Sequence, residues 1–270
     1  MGLVIGIDVG GSTTKIVGFD NGCIKSPMFI TAADPVTSLF GAFGKYVYDN
    51  GICLADVEHV MLTGVGSSHV DTPIYGLPTS KADEFQADGL GARFDSGLDR
   101  LMVVSMGTGT TLGRVEGDEI RHAGGISMGG GTLRGLSALL LKTSNIAEVV
   151  EMAARGDISK INLQIKDITT HQLDGLPMYA TASLFGKVVN SKADESDIAK
   201  GLICMVLETI GSCAVLAAAT SQLRDFVLIG NLTRLPDCKV IFPIMEDLYG
   251  VRFHMPAHAE YCTALGAALA

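Results

Sequence analysis

Four times along this chain a strand-like run breaks off into a cluster of glycines, within residues 6–11, 64–66, 107–113 and 124–135. Glycine allows turns that other residues resist and lets a backbone approach a ligand closely. A chain that repeats this device at strand ends is built to place loops, and its fold must bring strand ends together. Glycine makes up 33 of 270 residues, about 12% against a usual share of roughly 7%. There is no G-X-Y period, which excludes a collagen-like helix. With 47% hydrophobic and 18% charged residues the chain is globular rather than disordered, and long enough for one large domain or two of ordinary size.

The run at residues 3–7 suits a buried strand, and Gly10-Gly11-Ser12-Thr13-Thr14 follows as a tight turn. A second strand returns over residues 15–19, and Asn21-Gly22 is a hairpin signal leading to a third. Val36, Phe40, Phe43 and Val47 recur at helical spacing, and Asn50-Gly51 stops that helix. A strand over 57–62 precedes a helix that begins within 81–87 and runs past Phe94. The opening then repeats: a strand over 101–105 ends in Gly107-Thr108-Gly109-Thr110-Thr111, and a hairpin over 112–122 turns at Glu116-Gly117-Asp118. Helices are predicted over 130–141, 146–154, 181–190, 194–222 and 238–249, with a last one from Cys262. Strands are predicted over 226–229 and 251–254. The repeated opening divides the chain into related α/β lobes, residues 1–115 and 116–270.

A small, hydroxyl-lined loop whose backbone N–H groups point inward is an anion cradle. Two such loops occur, 10–14 and 107–111, each directly after a buried strand. Neither closes with the Lys-Ser/Thr of a Walker loop, and neither is a GxGxxG opening a helix. Asp8, at the mouth of the first loop, is placed to hold Mg²⁺ through water or to cap the turn. Lys15 either points at the phosphates or is a solvated strand residue. A net charge of −9 argues against nucleic acid or an anionic membrane surface as partner. The six cysteines form no CxxC pair, and the histidines form no metal-binding set, which fits reduced thiols in the cytoplasm. The first residues lack signal-peptide features, and the longest apolar stretch, 201–222, is interrupted by Glu208, Ser212 and Thr220, so it is predicted to be buried in protein rather than in a membrane.

The stretch Gly6-Ile7-Asp8-Val9-Gly10-Gly11-Ser12-Thr13-Thr14-Lys15 resembles the first phosphate motif of the superfamily of actin, heat-shock chaperone ATPases and sugar kinases, and Gly107-Thr108-Gly109-Thr110 resembles its second. Within it the chain is most similar to type II pantothenate kinases, through Glu84-Phe85-Gln86-Ala87, residues 124–132, Thr181-Ala182-Ser183-Leu184-Phe185-Gly186-Lys187 and Ile229-Gly230-Asn231, in the family's order. The resemblance implies a two-lobed actin-like ATPase (ribonuclease H-like) α/β fold with the nucleotide cleft between lobes. It implies a Mg²⁺-dependent cytoplasmic homodimer that transfers phosphate from ATP to pantothenate, the first step toward coenzyme A.

The site residues follow from the same resemblance. Glu84 would be the carboxylate near the attacking hydroxyl, with Asp83 as competing candidate or helix cap. An Arg of the family, just before its third glycine-rich segment, corresponds to His122, with Arg121 one place earlier on the opposite strand face. ATP contacts would come from Asp8, Val9, Gly10, Gly11, Ser12, Thr13, Thr14, Lys15, Thr108, Gly109, Gly130, Gly131, Thr132, Leu133, Arg134 and Asn231. A sugar kinase acting on N-acetylglucosamine and a non-catalytic ATP-binding regulator are the competing functions.

Overall fold

Two five-stranded sheets with the same strand order, seen in a computed structural model that describes residues 2–11, 13–31, 34–171 and 175–270, make up the frame of the protein. Strands β1 (Leu3–Val9), β2 (Thr13–Asp20) and β3 (Cys23–Thr31) form an antiparallel meander that turns at Asn21 and Gly22, both with positive φ. Helix α1 (Pro35–Asn50) starts with Asp34 as N-cap and Pro35 in the first turn, and ends at Gly51 in the left-handed region. Strands β4 (Val57–Thr63) and β5 (Thr79–Lys81) then add in parallel, giving the order β3-β2-β1-β4-β5.

After α2 (Glu84–Ser96) the same steps recur. Strands β6 (Arg100–Met106), β7 (Thr110–Glu116) and β8 (Glu119–Ile126) form a second antiparallel meander. A helical excursion follows: α3 (Gly130–Leu140), α4 (Ile146–Ala153), the short strand β9 (Leu163–Gln164), α5 (Ile165–Ile168), β10 (Thr181–Ser183) and α6 (Glu195–Ala218). Strand β11 (Asp225–Ile229), α7 (Cys238–Tyr249) and β12 (Arg252–His254) complete the second sheet in the order β12-β11-β6-β7-β8, with β11 parallel to β6. Helix α8 (Cys262–Leu269) then returns to the first sheet.

Alternation along the strands decides what covers each face. In the first sheet Ile5, Ile7, Val9 and Ile16 pack on Leu39, Phe43 and Tyr46 of α1, while Val17 on the other face meets Ala264 and Leu265 of α8. In the second, Met102, Val104 and Leu228 join the core built on α6 and α7, while Leu101, Val103 and Val227 face Ala92 of α2 and Cys262 of α8. Helices α2 and α8 therefore lie between the sheets. They touch backbone to backbone: a Cβ on Gly266 would sit 1.7 Å from the Ala87 carbonyl oxygen, and one on Gly91 1.9 Å from that of Cys262.

Several sequence-based expectations change. Residues 181–190 are not a helix: β10 pairs with β9, Phe185 has φ of 58°, and its N–H donates to Asn162 Oδ1, so the segment folds onto its neighbours. The strand β5 occupies part of the stretch assigned to the start of α2, which begins only after Asp83. Residue 115 lies inside β7, and the chain passes from the first sheet to the second across α2. The buried face of α1 is Ser38, Leu39, Ala42, Phe43 and Tyr46, with Val36 exposed. Helix α6 is long and apolar enough to cross a membrane by length and composition, with a mean hydropathy of 2.0, and packs instead as the centre of the second core.

Candidate active site

The carboxyl ends of β1, β4, β6 and β11 each run into a glycine-containing loop, the usual place for a ligand cleft in sheets of this kind. On the floor, register pairs Asp8 with Lys15 on β2 and with Thr63 on β4. Three polar side chains thus stand in a row on the face of Gly6, the face that α8 covers further along. Lys15 Nζ donates to Asp8 Oδ2 at 2.8 Å, and both groups are buried. Burial acts to lower the Lys15 ammonium, but Asp8, Asp88 and Glu84 outweigh it and its pKa is raised. Lys15 is therefore a fixed cation of the floor, and not a solvated strand residue. Thr63 Oγ1 is buried with no hydrogen-bond partner among the described residues.

Helix α2 forms one wall. Asp83 caps it, accepting from the Gln86 N–H at 3.0 Å, which separates it from Glu84 in the first turn. Burial first, then the negative charge of Asp8, raise the pKa of Glu84, while Lys15 opposes them. Sequence reasoning passed over Asp88, one turn further on. It is 4% exposed, accepts from Thr263 Oγ1 at 2.6 Å, and burial pushes its pKa up to about 7. The Glu84 and Asp88 spacing was a signal, since like charges four apart on an exposed helix repel.

Opposite this wall, His122 of β8 packs on Phe85, ring centroids 4.2 Å apart with the planes tilted by 38°, and Gln86 Nε2 donates to the Ile120 carbonyl. Arg121 points to the other face of β8, exposed and paired with Glu119. Pairing is regular through His122, so strand alternation turns Arg121 away and His122 toward α2; the register shifts only beyond it, between Leu112 and Gly113 on the partner strand. His122 thus reaches α2 at Phe85, the residue after Glu84, whereas Arg121 is turned to Glu119.

The loops divide in a similar way. Gly10 N–H donates to the Thr13 carbonyl at 2.9 Å, closing the first loop, whose Gly11 is exposed. Ser12 lies outside the described residues. The side chain of Val9 is in the core, and Thr14 turns its hydroxyl to Ser38 of α1 at 2.7 Å, away from the cleft. In the second loop Gly107, Thr108 and Gly109 are exposed. The amides of Gly130 and Gly131 donate to the carbonyls of Gly107 and Thr108 at 2.9 and 2.8 Å, so they fix this loop instead of facing a ligand. A Cβ at Gly129 would lie 2.6 Å from the Thr108 carbonyl oxygen, which is why this stretch is glycine. Leu133 is core, Arg134 is exposed, and Asn231 follows Gly230, whose φ of 90° turns the chain beside Met106.

The exposed glycine loops fit a polyphosphate, because they present backbone without side-chain obstruction. The single carboxylate of Asp8 fits Mg²⁺, which keeps several waters and shares phosphate oxygens with few protein ligands. Among the described residues no cluster of three metal-ligating side chains exists.

A family model named Fumble matches residues 97–270. The type II pantothenate kinase of Staphylococcus haemolyticus is 28% identical over 274 residues, covering 97% of this chain and 98% of its own. The mouse 4'-phosphopantetheine phosphatase is 38% identical over 135 residues, 48% of this chain, and the match spans only 16% of that protein. Among solved structures, the activator of 2-hydroxyisocaproyl-CoA dehydratase from Clostridium difficile, with bound ADPNP, superposes with a TM-score of 0.69 at 17% identity, covering 99% of this chain and 93% of the other. That likeness concerns the fold, which is the two-lobed α/β arrangement expected from the phosphate motifs.

Proposed function

The chain belongs to the Fumble family, and from that premise we propose that this ATP-dependent kinase is a pantothenate kinase, converting pantothenate to 4'-phosphopantothenate. The observation that supports the acceptor chemistry is that Glu84 is half-buried and close enough to the buried Asp8 and Lys15 pair for both charges to act on it. The near full-length similarity to bacterial type II pantothenate kinases supports the choice of acceptor.

ATP, when bound, supplies the phosphoryl group. Gly11, Thr108 and Gly109 would bind the phosphates through backbone amides, the Gly10 amide being spent on closing the first loop, with Asp8 holding Mg²⁺ through water. Lys15 keeps Asp8 in place and adds a positive charge to the floor. Glu84 accepts the proton of the acceptor's primary hydroxyl, and its raised pKa makes it a better base than an exposed glutamate. His122, packed at a tilt against Phe85, offers a donor to the acceptor where the family has Arg. Catalysis of this kind is positioning and charge neutralisation.

We assign the lobe division to α2 and α8. A cytoplasmic location is in keeping with six free cysteines. A homodimer is in keeping with Leu139 and Leu140 exposed on α3 and Leu216 on α6. The test is ADP release with pantothenate, pantetheine and N-acetylglucosamine as acceptors. Turnover on pantothenate is expected; none on pantothenate with brisk turnover on the sugar would overturn the assignment.

A further inference from the structure

One buried acid of the cleft has no part in the transfer just described. Asp88 stands one helical turn beyond Glu84 on the same face of α2, closed off from solvent. Three other elements reach it. Thr263 Oγ1, in the first turn of α8, donates to Oδ1 at 2.6 Å; the Ser105 side chain of β6 hydrogen-bonds it; and Thr111 Oγ1 of β7 lies 3.5 Å from Oδ2. The charged and titratable groups around it are Glu84 on its own helix, Asp8 on β1, Lys15 on β2 and the Cys262 thiol on α8. An apolar side chain would fill such a place at lower cost if packing were the only need, because a buried acid must be fully hydrogen-bonded to be tolerated. Its partners belong to both sheets' neighbourhoods, and the backbones of α2 and α8 are already in contact on either side of it, at Ala87 with Gly266 and at Gly91 with Cys262. Those contacts fix how far apart the helices lie; the directional bonds of Asp88 fix how α2 is turned about its axis.

We propose that Asp88 is a positioning residue for phosphoryl transfer: by tying α2 to α8, β6 and β7 it sets the rotation of α2 that aims Glu84 at the acceptor hydroxyl. The inference rests on the kinase assignment for its kinetic consequence. It does not rest on it for the placement of Glu84, so the two are tested separately.

Steady-state kinetics of Asp88→Ala, Asp88→Asn and Thr263→Val give the first arm. Asp88→Ala should lower kcat about 10- to 100-fold with KM for ATP within about threefold of wild type. Asp88→Asn keeps an acceptor for Thr263 and should return kcat to within about fivefold. Thr263→Val should reproduce the loss, and the double variant Asp88→Ala with Thr263→Val should be no worse than either single one, as for residues acting as a unit. A silent Thr263→Val, additive losses, or a fall in kcat matched by an equal loss of ATP affinity would overturn the proposal. If Asp88→Ala does not fold, Thr263→Val against Asp88→Asn decides alone. The second arm needs no acceptor: the ¹³C resonance of the Glu84 side-chain carboxyl should be one sharp line in wild type and Asp88→Asn, and shifted or split in Asp88→Ala and Thr263→Val. Unchanged spectra in all variants would sink the positioning role. An enzyme inactive on pantothenate whose Glu84 resonance responds in this way would leave the positioning role standing and remove the acceptor assignment.

Discussion

Replacing Asp88 by Asn should change how the stability of this protein responds to pH. Burial raises the Asp88 carboxyl to about 7 from an ordinary value of 3.8. The folded state therefore holds a proton there that the unfolded chain has lost above about pH 4. Wherever the native state binds more protons, stability falls as pH rises, by 1.36 kcal/mol per pH unit for one group. That loss runs from about pH 4 to about pH 7 and is complete above it. Asn carries no such proton, so the unfolding free energy of Asp88→Asn relative to wild type should increase between pH 5 and pH 8. Two pH units lie between 5 and the native value, which corresponds to about 3 kcal/mol. Lys15 keeps its proton in both states over this range and adds nothing to the slope, so a rise of about 2 kcal/mol or more is required for the reasoning to hold. Urea denaturation followed by circular dichroism at both pH values measures the difference. A signed difference, variant minus wild type, that is constant with pH or that falls on going to pH 8 would refute the assignment of Asp88 as a carboxyl kept neutral by burial.

Three further outcomes follow from the same geometry. Glu84→Gln should cut kcat about 100-fold or more while equilibrium binding of an ATP analogue stays unchanged, and near-normal turnover would remove Glu84 as the base. Gly109→Val should weaken binding of the same analogue about tenfold, since the exposed second loop would then carry a branched side chain; calorimetric titration reads it. Gly266→Ala places a methyl group 1.7 Å from the Ala87 carbonyl oxygen, so α2 and α8 must separate, and unfolding free energy should fall by about 3 kcal/mol or more in a denaturant titration.

Local chemistry was legible in the sequence where neighbours along the chain decide the structure. The hairpin at Asn21-Gly22, the stop of α1 at Gly51 and the loops after β1 and β6 appear where turn residues and apolar runs placed them. Asp83 and Glu84 illustrate the limit: both are acids at a helix start, and only the fold gives one the cap and the other the cleft. For Asp88 the sequence holds only the four-residue spacing from Glu84, because the partner that explains its burial is Thr263, 175 residues later. Thr14 was assigned to the phosphates from its place in the motif, but strand alternation turns it toward Ser38. The amides of Gly130 and Gly131 are claimed by loop carbonyls, a pairing that needs the second loop and the start of α3 to be side by side. The stretch over 181–190 has helix-compatible residues, and tertiary pairing with β9 overrides them.

The meeting of α2 and α8 has a mechanical meaning. At Gly91 and Gly266 no side chains interlock, and main chain rests directly on main chain. Meshed side chains resist tilting the way gear teeth do, since they must leave their grooves before the helices can move. Two bare backbones resist compression without meshing, so between them only directional bonds such as that of Thr263 to Asp88 set the angle. Each sheet packs against this pair of helices, so any rocking of one sheet against the other would turn about this contact. The smallest residues of the chain thus define a pivot at the back of the cleft as well as the openings at its front.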